Sequence, residues 1–329
     1  MNEKKRIEFI DLAKGVCIIL VVLLHMDLPI DNAVPLLRSI RMPLYFILSG
    51  LFFKTYGGFK NLFLKKVNKI FIPFLFFYLL SYLIFYLMLH FAPQFSHSGA
   101  RGILDIFTQR WTFNNPIWFL LCLFWCNLIF CFIAVTLKEE WKRAIAVCCV
   151  GAIGVLLDVV DIKIYACVDN AFSALPFFYF GYLLKKTDLL YPNKYDKFNI
   201  FISVGLYVLA TITLHWKHSN INFEMNEIYG NVLLEYLISV VSVMAVLFFC
   251  KVFKHIPVIS YFGRYSIIVL CTHELVRKFT KPLLMKFGVD NPYILALVVL
   301  TICFGLIPLC VNFLPHVTAQ KDVIKIETK

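Results

Sequence analysis

Apolar residues fall into long runs at about 8–26, 35–53, 70–91, 117–137, 143–160, 166–184, 198–216, 229–250, 258–276 and 292–315. Each is long enough, or nearly so, to cross a bilayer as a helix, which takes about 20 residues. The connections between them are short and rich in Lys and Arg, with no fixed-period repeat and no Gly/Ser-rich linker. The pattern predicts an all-α polytopic membrane protein of about ten transmembrane helices. One domain covers 1–329, with a short basic tail at 321–329.

The first run breaks the apolar pattern in an ordered way. It carries Asp11, Lys14 and His25, groups that are expensive in hydrocarbon unless they meet a partner or water. At about 100° per residue, Lys14 and His25 lie within about 20° of each other around the helix and roughly 16 Å apart along it. Asp11 lies about 60° from Lys14, so a polar stripe runs the length of the span. His25 is a candidate base for a hydroxyl proton. Lys14 admits two readings: an ion pair with Asp11 three positions away, or neutralisation of an anionic ligand.

Composition strengthens the membrane reading and sets the orientation. Hydrophobic residues make up 60% of the chain and charged residues 16%, a balance foreign to a soluble domain of this length. The net charge of +12 does not point to nucleic acid, because the basic residues lie between apolar runs. Of the 32 Lys and Arg, twenty-one fall on the amino-terminal side of the ten spans, ten on the other, and Lys14 within the first. Positive charge favours the cytoplasm, which puts both termini there. The last external loop is an exception, with Arg277, Lys278, Lys281 and Lys286; it marks either a functional basic patch or a misplaced ninth span. The first run lacks a small-residue cleavage site and reads as a retained span. The eleven cysteines sit mostly within apolar runs, with neither disulfide nor metal-ligand spacing.

Further candidates line both ends. Arg38 and Arg41 open the second run at the level of His25 and suit a phosphate or a developing oxyanion, or simply snorkel. Lys54, Lys60, Lys65, Lys66 and Lys69 crowd one cytoplasmic segment, as topology alone would require, and they also suit a phosphorylated ligand. The external loop 92–116 mixes Arg101, Asp105, Arg110, Trp111, Asn114 and Asn115, a composition that fits either sugar recognition or a lipid interface. Trp118 starts the fourth run, and His273 lies at the outer end of the ninth, where it can join His25.

These residues together resemble the acyltransferase-3 family of integral membrane O-acyltransferases. The resemblance rests on Arg6-Ile-Glu-Phe-Ile-Asp11-Leu-Ala-Lys14-Gly15 with Lys14 ten intervening positions before His25, and on Met42-Pro43-Leu44-Tyr45-Phe46-Ile47-Leu48-Ser49-Gly50. It extends through Lys65-Lys66 and Lys69 before Pro73, Trp118-Phe119-Leu120, and Tyr265-Ser266 before His273. The Asp-Leu-Ala-Lys-Gly form is similar to the fucose 4-O-acetylase-like branch.

The resemblance implies transfer of an acyl group, usually acetyl from cytoplasmic acetyl-CoA, to hydroxyls of envelope or exported glycans or lipid-linked sugars, in a bacterial cytoplasmic membrane. It implies a functional pair in Lys14 and His25. With the readings above, it places Asp11 and Arg41 beside them, Lys14, Lys65, Lys66 and Lys69 on the donor, and Arg38, Arg41, Trp118 and His273 on the acceptor, with no metal. Arg41 precedes Met42 where related sequences often have histidine, so no family role passes to that position. Some members append a soluble hydrolase-like domain; ending at Lys329, this chain is expected to act alone, as a homo-oligomer, or by handing its acyl group to a partner protein. The rival expectation is a non-catalytic export or transport component for polysaccharide.

Overall fold

A computed structural model describes residues 7–26, 28, 34, 36–91, 104, 113–191, 193–194, 196–217, 220–222 and 226–325. Arg101, Asp105, Arg110 and Trp111 of the expected sugar-binding loop lie outside the described residues, as does the end of the basic tail.

Every expected apolar run coincides with helix. The order is α1 (Glu8–Leu24), α2 (Leu36–Leu51) and α3 (Phe59–Lys66), which passes through a π-helical turn at Val67–Phe71 into α4 (Ile72–Phe91). Then come α5 (Trp118–Thr136), α6 (Glu140–Val159), α7 (Val168–Leu184), α8 (Asn199–Lys217) and α9 (Val232–Phe253). The chain continues through α10 (Pro257–Arg264), α11 (Ser266–Lys286) and α12 (Pro292–Phe313). Five stretches are long and apolar enough to cross a membrane: Phe59–Phe91, Asn115–Thr136, Asp196–His215, Val232–Phe253 and Pro292–Phe313. On the outside of the bundle, α8 leaves Phe201, Val204, Leu209 and Ile212 exposed, and α12 leaves Leu297 and Phe313 exposed. Apolar faces of that extent belong against lipid. The chain is a multi-pass membrane protein.

Two local features depart from the sequence expectation. The ninth run is two helices, because the chain turns at Tyr265 (φ −116°, ψ 28°) between α10 and α11. Arg277, Lys278, Lys281 and Lys286, expected in a loop, therefore lie within α11. In addition, Asn220–Asn222 (β1) and Glu227–Tyr229 (β2) form an antiparallel ribbon with Ile221 opposite Ile228.

The polar helices are held by close backbone approaches. A Cβ on Gly15 would run into the carbonyl of Ile259, and one on Gly263 into the carbonyl of Asp11. The polar stripe of α1 is thereby fixed against α10. A Cβ on Gly50 would likewise meet the carbonyl of Phe178, and one on Gly181 the carbonyl of Ile47, joining α2 to α7. Such approach is what small residues supply where lipid gives helices no hydrophobic drive to associate.

Beyond α12 the chain returns as a strap over the π-helical turn. The Asn68 amide nitrogen donates to the Ile324 carbonyl (2.8 Å), and its oxygen accepts from the amides of Val323 (2.9 Å) and Ile324 (2.8 Å).

Candidate active site

Contacts along α1 follow its polar stripe. At Lys14 the backbone carbonyl accepts from the Tyr45 hydroxyl of α2 (3.3 Å). One turn on, the Cys17 thiol donates to the carbonyl of Arg41 (2.8 Å). At the end of α1, His25 meets His273 of α11 with ring centroids 5.3 Å apart and planes tilted by 47°. The rungs follow from periodicity: Lys14, Cys17 and His25 recur on one face of α1, and Arg41 and Tyr45 lie four apart on α2.

The His25 end is charged and enclosed. Arg41 is only 5% exposed and, with Glu274 and Arg277, forms the charged surroundings that His25 feels. Arg277 clamps Glu274 through both carboxylate oxygens (2.7 and 2.8 Å), and the Lys278 ammonium lies 3.6 Å from the same group. His273 is fully buried. Its Nδ1 lies 2.8 Å from the Val269 carbonyl, which can only accept, so Nδ1 carries the proton in the neutral ring. Nε2 is then left with its lone pair and has no hydrogen-bond partner among the described residues. Asn114, just before α5, donates to the Cys271 carbonyl (2.8 Å) and to Ser81 of α4 (3.1 Å), tying three elements together beside His273. A histidine pair next to guanidinium groups can take up a proton and stabilise negative charge on a neighbouring oxygen.

A second basic cluster lies where α3 passes into the π-helical turn. Lys65 and Lys69 meet Asp322 of the strap at 2.8 and 2.9 Å, and Lys69 also donates to the Ala319 carbonyl (2.7 Å). Partial burial works to raise the Asp322 carboxyl; the two lysines outweigh it and hold the group below the usual carboxylate range. Lys66, beside Lys65, lies within electrostatic range of Cys131 of α5. The Lys14 ammonium sits 5.7 Å from the centre of the Phe52 ring, at the end of α2 away from Arg41.

The family model for the acyltransferase domain of the acyltransferase-3 family matches residues 7–311, nearly the whole chain. The chain belongs to that family. No curated protein and no solved structure matches it.

The membrane acyltransferase thus brings together some expected site residues and separates others. His25 and His273 meet at one end, with Arg41 within electrostatic range. Lys65 and Lys69 form a separate group with Asp322 of the strap. Asp11 is held by its backbone against Gly263. Arg38 is half-buried one turn from Arg41 on α2. Trp118 is buried edge-on to Phe119, their ring centres 6.2 Å apart. Sequence reasoning missed the Glu274–Arg277 clamp, although its three-residue spacing was readable. It also missed Asn114 as a brace of α11, for which no local signal exists.

Proposed function

We propose that this acyltransferase moves an acetyl group from cytoplasmic acetyl-CoA to a hydroxyl of an envelope or exported polysaccharide or lipid-linked sugar. It does so in a bacterial cytoplasmic membrane, with ten spans and both termini inside. One observation carries the reading. In an acyltransferase, the pair His25 and His273 meets within the electrostatic reach of Arg41, at the end of the α1 polar stripe opposite Lys14.

Lys14, Lys65, Lys66 and Lys69 hold the donor's phosphates, and the thioester reaches along α1 toward His25. Arg38, Arg41, Trp118 and His273 line the acceptor side. In direct transfer, His25 takes the proton of the sugar hydroxyl as its oxygen attacks the thioester carbonyl. Arg41 stabilises the resulting oxyanion, the C–S bond breaks, and the proton passes to the departing thiolate. In the covalent alternative, His25 displaces the thiolate, carries the acetyl as acyl-imidazole, and then yields it to the hydroxyl.

The test uses purified protein in liposomes with radiolabelled acetyl-CoA and a crude envelope-glycan acceptor. Fucose-bearing glycan is the first to try, given the resemblance to the fucose 4-O-acetylase-like branch. Label should pass to the glycan, and His25→Ala should lower the rate by about 10²–10⁴-fold. Normal turnover in that variant would remove His25 from the chemistry. No transfer by the native protein to any such acceptor would defeat the acetyl-glycan assignment.

A further inference from the structure

The strap sits where the donor's phosphate is proposed to bind. Asp322 presents a carboxylate to Lys65 and Lys69 at 2.8 and 2.9 Å, the arrangement that a phosphate, with more charge and more acceptor oxygens, takes between two ammonium groups. The strap hangs from the same short segment. Asn68, between the two lysines in sequence, makes three hydrogen bonds to residues 323 and 324, and Lys69 adds one to Ala319. The π-helical turn at Val67–Phe71 gathers these donors and acceptors, and such turns are frequent at functional sites. Release demands little burial: Thr318 is fully buried, whereas Lys321, Val323, Ile324 and Lys325 are exposed and Lys65 retains 28% exposure.

We propose that Asp322 is an internal competitor for a donor phosphate at Lys65 and Lys69, so that binding of the donor releases the C-terminal strap from Asn68. The inference rests on the reading of acetyl-CoA as the donor. It makes the strap a sensor of site occupancy: with no donor bound the carboxylate neutralises the lysines, and the phosphate displaces it. An anionic lipid headgroup carries the same phosphate chemistry, and the test separates the two sources.

The full chain in phosphatidylcholine nanodiscs is probed with coenzyme A, following hydrogen exchange over residues 319–325. The amides of Val323 and Ile324, protected by the Asn68 oxygen, should exchange faster when coenzyme A is added. Asp322→Asn should tighten coenzyme A binding by about three- to tenfold, as expected for removing a half-exposed competitor. The double variant Lys65→Ala, Lys69→Ala should weaken it. If the double variant weakens binding while Asp322→Asn binds as the native protein does and exchange is unmoved, the strap does not compete, and the donor reading survives without it. If coenzyme A binds neither native protein nor Asp322→Asn, the donor reading itself fails and the competitor role falls with it. Exchange that rises with added phosphatidylglycerol but not with coenzyme A would assign the site to lipid and overturn the proposal.

Discussion

Glu274 faces Arg277 at 2.7 Å and Lys278 at 3.6 Å, while Asp322 faces Lys65 at 2.8 Å and Lys69 at 2.9 Å. Each is a carboxylate between two cations at similar range. Their surroundings differ: the Glu274 side chain is 5% exposed and that of Asp322 is 31% exposed. Their connectivity differs too. Glu274 and its partners share one helix at three- and four-residue spacings, whereas Lys65 and Asp322 come from opposite ends of the chain. A buried acid cannot leave its partners without stranding charge in a low-dielectric interior. A half-exposed one can exchange them for water or for another anion. Similar local chemistry therefore gives a fixed brace beside His25 and His273, and a replaceable contact beneath the strap.

Neutralising each acid sharpens that contrast. Glu274→Gln leaves Arg277 and Lys278 without their counter-charge and should cost about 3–5 kcal/mol of stability. Asp322→Asn should cost no more than about 1 kcal/mol. Thermal unfolding of the two variants in the same detergent measures the difference. Equal losses would mean that the strap is as much a part of the fold as the brace. Glu274→Gln should also depress transfer, because Arg277 would then act on His25 unneutralised.

The same division explains what could be read from the sequence. The apolar runs and the face shared by Lys14 and His25 follow from helical periodicity and run length, which leave open whether His273 reaches His25. Both are local properties, and the helices fall where those runs predict. The break at Tyr265 was hidden because apolar residues continue on both sides of it. Arg277 and Lys278 looked misplaced in an external loop for that reason; they belong one turn beyond Glu274 in α11. Lys65 and Lys69 were read as a basic segment, and nothing near them in sequence announces that Asp322 will fill the space between them. That contact depends on where α12 ends and how the chain returns.

Close helix contacts allow a test of intermediate size on the fixed region. Gly263→Ala places a methyl against the carbonyl of Asp11 and the amide of Gly15, both backbone groups that cannot rotate away. It should destabilise by about 1–3 kcal/mol, the usual range for overpacking, and should lower transfer by shifting the α1 stripe against α11. Gly205→Ala on α8 meets open space and should be neutral or stabilise by up to about 1 kcal/mol, through helix propensity. If both variants melt alike, close packing between α1 and α10 does not set the position of α1.

The smallest expected effect concerns protonation of the strap contact. Asp322 has its carboxyl held below the usual range because Lys65 and Lys69 outweigh the opposing effect of burial. A depressed carboxylate contributes attachment that is fully present above its free value, near pH 4, and is lost as the pH falls through the lowered one. The groups facing it are Lys65 and Lys69, and the strap itself adds the exposed Lys321 and Lys325. Hydrogen exchange at Val323 and Ile324, corrected for its intrinsic pH dependence, should therefore stay slow above about pH 5 and rise only below about pH 4. The amplitude should correspond to less than about 1 kcal/mol. Asp322→Asn should abolish that rise while leaving the Asn68 hydrogen bonds in place. A rise of equal size in the variant would show that Asn68 alone holds the strap, and that the ion pair contributes to the lysines' charge balance rather than to attachment.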